Sequence, residues 1–320
     1  MRKVLAIDGG GIKGVFPAAF LANIEEHLEG DLWEYFDLIA GTSTGGIIAL
    51  GLGLGLTARE ILGIYKDNAE KIFPRTAWYD KFKLKKTIPG LLKQKYETSQ
   101  LADILRDKFR DKRLGDSKTR LMILSTNLTS GGVRVFKTAH HERFRNDYKV
   151  AAKEVALATS AAPIFFKPHT MPGGQPLVDG ALWGNNPSGF ATIEAISVLG
   201  WAPEDTAVLS LGCTEEPAEF AKLAGKNPGI ADWGLGIFQS FMTAQSSASI
   251  GMTKLILCDE QGDRSPRISP MTPSKLFSLD GCDTVDQLAG FGDSQAIIEF
   301  PKVKKTFFSS KAPIFTPIYN

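Results

Sequence analysis

The chain has 320 residues, 43% of them hydrophobic, so it can bury a large core, and its length suits one large domain or two small ones. With 37 basic against 35 acidic residues the net charge is only +2, which gives no global field to recruit a nucleic acid polymer, so attraction to an anionic surface has to be local. Cys213, Cys258 and Cys282 are widely spaced, odd in number and unaccompanied by histidine, which argues against a disulfide framework and against a zinc site, and fits a reducing cytoplasm.

The chain opens with Arg2 and Lys3 followed by four apolar residues and then Asp8, an apolar run too short for a signal peptide. Residues 3–7 read as a buried strand feeding the glycine loop that follows Asp8. Phe16, Phe20, Ile24 and Leu28 recur at helical spacing, so a helix is predicted over 15–28, stopping near Gly30. A second short strand at 38–40 runs into Gly41-Thr42-Ser43-Thr44-Gly45-Gly46 and another helix. Strand, glycine turn and helix thus occur twice in quick succession, which is the pattern of a parallel α/β sheet. The longest apolar stretch, 47–56, is broken by glycines and is about half of the roughly 20 residues a membrane span needs.

Thr57-Ala58-Arg59-Glu60 is a capping box, predicting a helix from there to about Phe73. Residues 78–95 mix Trp78, Tyr79 and Phe82 with Lys83, Lys85, Lys86 and further lysines, a texture suited to an anionic bilayer surface. Residues 120–126 and 133–138 read as strands around a turn at Ser130-Gly131-Gly132. A helix over 150–162, an extended run at 176–178 and a core strand at 207–211 follow. Beyond Gly225, helices are expected at 231–250 and 284–300, joined through a Pro- and Ser-rich loop at 265–274. The expected organisation is a single domain over 1–320, with the motifs in 1–212 and 213–320 as an extension of the same unit.

Two segments carry chemistry. In Gly41-Thr42-Ser43-Thr44-Gly45 the glycines two before and two after the serine permit a tight strand-to-helix turn that lifts the hydroxyl out of the sheet. In Asp8-Gly9-Gly10-Gly11-Ile12-Lys13-Gly14, consecutive glycines let backbone N–H groups converge, and the following helix adds the positive end of its dipole, so the loop can receive a phosphate or an oxyanion. If Ser43 attacks an ester, the amides of Gly10, Gly11 and Thr44 are the natural oxyanion donors, supported by Gly9, with Lys13 nearby to hold the loop or a phosphate.

A nucleophilic serine needs a base. The histidines are His27, His140, His141 and His169, and none follows residue 169, where an α/β-hydrolase would put its catalytic histidine. His27 is expected on a helix surface, and His140 and His141 in solvent after a strand. An aspartate remains, and Asp179-Gly180-Ala181, ending an extended run, is best placed. Since a free Asp titrates near 3.9, burial has to raise its basicity.

These three segments together resemble the signature set of patatin-like phospholipases, and Ser160-Ala161-Ala162-Pro163 and Asn185-Asn186-Pro187 are similar to bacterial members. The resemblance covers about 1–212. It implies a three-layer α/β/α fold with a mainly parallel central sheet, a Ser43–Asp179 dyad, an acyl-enzyme formed from a lipid ester at a membrane surface, and no metal or cofactor. The family often has Arg at the position of Lys13; Lys keeps the charge and loses the planar fork. The chain also resembles bacterial patatin-like effectors of antiphage defence that a cyclic dinucleotide switches on, implying a cytoplasmic protein that works at the inner membrane. Two rivals stand beside this: an actin-like nucleotide-binding kinase, whose first phosphate loop is similar but leads into a hairpin, and a catalytically inert lipid-binding protein.

Overall fold

The computed structural model describes residues 1–74, 95–217, 227, 236–274 and 276–320, with backbone only for 236–239. The lysine and aromatic segment at 78–95, apart from Lys95, lies outside the described residues.

Strands β1 (Arg2–Ile7), β2 (Leu38–Thr42), β3 (Arg120–Asn127), β4 (Gly132–Lys137), β5 (His169–Thr170), β6 (Pro176–Asp179), β7 (Thr206–Leu211) and β8 (Arg267–Ile268) form one sheet in the order β5-β6-β3-β2-β1-β7-β8, with β4 also on β3. Pairing is parallel from β3 through β2, β1 and β7 to β8, and antiparallel among β3, β4, β5 and β6. All residues of β2 and β7 are buried, as expected for parallel strands covered on both faces, which is why they read as continuous apolar runs.

The helices are α1 (Val15–Glu25), α2 (Thr44–Gly53), α3 (Ala58–Lys66), α4 (Thr98–Phe109), α5 (Ala152–Thr159), α6 (Ser188–Ile193), α7 (Gly236–Ile256) and α8 (Val285–Phe307). Alternate residues of β1 divide between two cores. Leu5 and Ile7 join the larger one with Phe16, Ile48 and Leu288, while Val4 and Ala6 join the smaller with Ala191, Val208 and Leu257. The result is the three-layer α/β/α arrangement with a mainly parallel sheet.

Most element boundaries move only slightly from expectation, and each larger change has a local cause. The helix expected over 15–28 ends at Glu25 and finishes in tighter turns, with His27 N–H bonding Ile24 O and Leu28 N–H bonding Glu25 O. The capping box is present: the Glu60 carboxylate accepts from Thr57 N–H at 2.8 Å, and the Thr57 hydroxyl accepts from Glu60 N–H at 3.1 Å. The helix it starts is interrupted before Phe73, because the Asn68 amide donates to Ile64 O at 3.1 Å and ends the first segment; Ala69–Ile72 then makes a separate turn. The loop expected at 265–274 contains β8, a two-residue strand flanked by prolines and too short for a periodic signal. Finally, α8 runs past residue 300 and through Pro301 to Phe307, where Phe307 and Phe308 pack on Phe36. Tertiary packing there outweighs the proline penalty.

The C-terminal elements are built into this architecture. β8 extends the sheet beside β7, Phe291 of α8 packs on Phe16 of α1 at 5.5 Å between ring centroids, and the buried Lys3 ammonium donates to the carbonyls of Phe307 (3.2 Å) and Ser310.

Candidate active site

Ser43 joins β2 to α2 with φ 55° and ψ −125°, a conformation that a non-glycine residue adopts only under strain. The flanking glycines are required by space. A Cβ on Gly41 would lie 2.2 Å from Gly45 O, and one on Gly45 would lie 2.2 Å from Ile7 O. The turn therefore folds tightly against β1, and Ser43 as a residue is 7% exposed and lines two openings. Thr159 at the end of α5 fixes it from below: its hydroxyl accepts from Ser43 N–H at 2.9 Å and donates to Leu124 O at 2.5 Å.

Asp179 reaches this serine through β3. That strand pairs with β4 over Met122–Asn127, so β2 and β6 have to share its other edge. Thr42 is paired with Leu124 and Asp179 with Ser125, which are neighbours on β3. The two loops thus meet because a third strand holds the ends of both. Asp179 is 1% exposed, and burial pushes its carboxyl up to about 7. Hydrogen bonding from the Ser43 hydroxyl and from Ala181 N–H, the latter at 2.8 Å, acts in the opposite sense. A carboxylate with a pKa near neutrality, beside a hydroxyl, can act as a general base.

The glycine loop lies against the same serine. Gly9 is fixed by Asn185, whose carbonyl accepts from Gly9 N–H at 3.1 Å and whose amide donates to Gly9 O at 3.2 Å. Thr44 Oγ1 donates to Gly11 O at 2.7 Å and ties the loop to α2. The amides of Gly10, Gly11 and Thr44 donate to no acceptor among the described residues, and so remain available to an oxyanion. Gly11 has φ +57°, and a Cβ there would lie 2.3 Å from Leu279 O, which accepts from Ile12 N–H at 2.9 Å.

Two openings converge on Ser43. The first, about 530 Å³ including its mouth, is walled by Ile47, Ile72, Phe73, Leu101, Phe166 and Leu279, with Tyr65 above Thr44. The second, about 440 Å³, holds Gly9, Gly10, Gly11, Asp179 and Asn185 with Met242 and Leu182 at its edge. Both openings are mainly apolar, and the second also carries the Asp179 and Asn185 side chains and the glycine-loop backbone, so together they can seat a molecule whose ester lies at Ser43 between an acyl chain and a more polar remainder.

Other expectations fare differently. Lys13 does not line either opening; its ammonium faces Glu216 at 3.8 Å, so it braces the loop from outside. His140, expected in solvent, is buried, because its Nε2 meets Glu194 Oε1 at 2.9 Å and Lys137 completes the pair at 2.5 Å. Burial lowers its pKa, opposed by Glu194. His169 pairs with Glu154, His27 is held by Asn23 O, and none of the four histidines lines an opening at Ser43. Among the described residues no group of three or more His, Cys, Asp or Glu side chains is arranged to hold a metal, and no helix is long and apolar enough to cross a membrane. Sequence reasoning did not find Thr159 or Leu279, since neither has a motif of its own; Thr159 does precede the flank Ser160-Ala161-Ala162-Pro163.

A family model described as patatin-like phospholipase matches residues 5–191. A cGAMP-activated phospholipase of Pseudomonas aeruginosa is 31% identical over 281 residues, which are 87% of this chain and 82% of that protein. A protein of the same description from Vibrio cholerae is 34% identical over 251 residues, 73% of this chain and 71% of its own. Patatin-like protein 2 of Arabidopsis thaliana is 32% identical over 268 residues, 72% of this chain and 64% of its own.

Proposed function

The chain belongs to the patatin-like phospholipase family of lipid hydrolases, and on that premise we propose that it cleaves fatty acyl esters of membrane phospholipids with Ser43 as nucleophile and Asp179 as base. The observation that carries this reading is the buried Asp179 carboxylate, raised to about 7, against the Ser43 hydroxyl at the junction of an apolar opening and the glycine loop.

The chemistry follows from these residues. Asp179 takes the proton as Ser43 Oγ bonds to the ester carbonyl carbon, and the carbonyl electrons move onto oxygen. The amides of Gly10, Gly11 and Thr44 receive that oxyanion. On collapse the carbon–oxygen bond to the glycerol side breaks, and the departing alkoxide takes the proton from Asp179, leaving an acyl-Ser43. Water then attacks the acyl carbon while giving a proton to Asp179, and the fatty acid leaves as Ser43 regains its hydrogen. The acyl chain occupies the opening walled by Ile47, Ile72, Phe73, Leu101 and Phe166, and the head group faces the opening that holds Asn185.

We extend the reading to control by a cyclic dinucleotide, because two of the similar bacterial proteins are named cGAMP-activated phospholipases. A lipid hydrolase held in check until such a signal arrives suits the antiviral role and the membrane-surface site of action that the resemblance implies. The kinase alternative loses support because the glycine loop leads into α1 and not a hairpin.

The test is fatty-acid release from mixed phospholipid vesicles by the wild type, Ser43→Ala and Asp179→Asn, with and without a panel of cyclic dinucleotides. Release by the wild type that both variants abolish is the expected result. Undiminished release by Ser43→Ala rejects the catalytic reading, and wild-type rates indifferent to every nucleotide reject the activation.

A further inference from the structure

Arg267, in the part of the chain beyond the family match, reaches the start of the glycine loop. Its guanidinium grips the Asp8 carboxylate with two bonds, Nη1 to Oδ1 at 2.9 Å and Nη2 to Oδ2 at 2.7 Å. Nη1 also donates to Ser210 Oγ at 2.9 Å, and Nη2 to Glu215 at 3.1 Å and, at 3.4 Å, to Ser246. Asp8 is 3% exposed and follows the last residue of β1, so its backbone leads directly into Gly9, Gly10 and Gly11. Burial holds the Asp8 carboxyl above its ordinary value, the adjacent Arg267 guanidinium opposes that effect, and the Glu215 carboxylate adds to it.

On this side Asn185 also holds Gly9 through its two hydrogen bonds. Asp8 N–H bonds Leu211 O at 3.0 Å, and Cys213 packs so closely under Gly10 that a Cβ there would lie 2.5 Å from its Cβ. The far end is set by Ile12 N–H on Leu279 O. Between these points Gly10 and Gly11 have no side chains of their own and are held at their carbonyls, by Lys13 N–H on Gly10 O at 3.1 Å and the Thr44 hydroxyl on Gly11 O at 2.7 Å, so the direction of their N–H bonds depends on these ties together with the residues at either end. The fork-to-fork geometry of Arg267 and Asp8 fixes an orientation as well as a distance, which a single-point contact would not do.

We propose that Arg267 is a positioning residue for the glycine loop, acting through Asp8 to aim the amides of Gly10 and Gly11 at the oxyanion. The proposal rests on the reading of Ser43 as the nucleophile. A loop displaced by about 1 Å costs on the order of 100-fold in rate without altering how the substrate's acyl chain is held. The effect therefore falls on kcat and leaves KM unchanged, as for an interaction made only in the transition state.

The experiment uses the full chain as wild type, Arg267→Met, Arg267→Lys, Asp8→Asn and Ser43→Ala. Competent sites are counted by labelling to completion with a fluorophosphonate, and kcat and KM are measured per labelled site on a soluble p-nitrophenyl ester. Arg267→Met is expected to lose about 100-fold in kcat with KM within about threefold of wild type. Arg267→Lys, which keeps the charge but not the fork, is expected between the two, as is Asp8→Asn, and these milder changes serve where the methionine variant does not fold. Wild-type kcat per labelled site in Arg267→Lys and Asp8→Asn, or a loss confined to the number of labelled sites, overturns the proposal and leaves Arg267 a fold-stabilising residue. Ser43→Ala separates this failure from the other: hydrolysis by that variant removes the catalytic reading itself, and the positioning role with it.

Discussion

At the scale of single residues, Asp179 decides the response to pH. In the proposed role of base it has to be ionised, so kcat/KM is expected to rise about tenfold per pH unit below about 7 and to level off above it. A profile already flat at pH 5 would contradict the raised pKa. Asp179→Asn keeps the shape without the charge and is expected to cost about 10²- to 10⁴-fold in kcat, measured at pH 8 where the wild-type base is ionised. The same group leaves a thermodynamic trace. Its folded pKa lies above its ordinary value of 3.8, so the native state binds more protons between about pH 4 and 7, and stability from this group falls as pH rises through that window. Urea titrations of wild type and Asp179→Asn at pH 5 and pH 8 should differ accordingly, the variant being stabilised relative to wild type at the higher pH. Thr159 supports the site differently. Thr159→Val strands the Ser43 N–H without an acceptor, and a loss of about 1–3 kcal/mol by urea denaturation is expected.

At the scale of elements, the two strand–turn–helix units were legible because each combines a short apolar run, a glycine cluster and helical spacing. The tight contacts around Gly41 and Gly45 explain why the glycines carried so much information: the turn cannot form with a Cβ at either position. Gly45→Ala is expected to lower stability by more than about 3 kcal/mol, read from thermal unfolding, because the clash is with the backbone of β1 and cannot be relieved by a rotamer. What the sequence concealed was register. Nothing local to Asp179 says that it lies beside Thr42, since both are aligned by β3, which carries no catalytic residue. His140 was misread for a similar reason: its partner Glu194 is on a π-helical turn distant in sequence, and a histidine among polar residues looks solvated until that carboxylate is found. The apolar opening belongs to this scale too. Leu101→Trp, on α4, should shorten the channel and shift preference towards shorter acyl chains in a competition between short- and long-chain esters; an unchanged chain-length profile would show that the chain lies elsewhere.

At the scale of the molecule, residues 1–212 declared most of the fold through their motifs, while the remainder gave weak signals and yet supplies Arg267 and Leu279 to the glycine loop. Long-range contacts of this kind leave no periodicity or spacing to read. Lys3 is another such tie, joining the first strand to the end of α8. Lys3→Met removes the donor to the buried Phe307 carbonyl and to the more exposed Ser310 carbonyl and should cost about 1–3 kcal/mol in urea unfolding, with specific activity per labelled site unchanged.

The edge of β3 shared by two strands acts as a ruler. Hydroxyl and carboxylate are spaced by consecutive rungs of one ladder, so drift or insertion in the loops that follow either rung leaves their separation intact. A residue inserted between Leu124 and Ser125 would do the opposite, turning the rung under Asp179 to the other face of the pleat and parting acid from alcohol while leaving every motif unaltered.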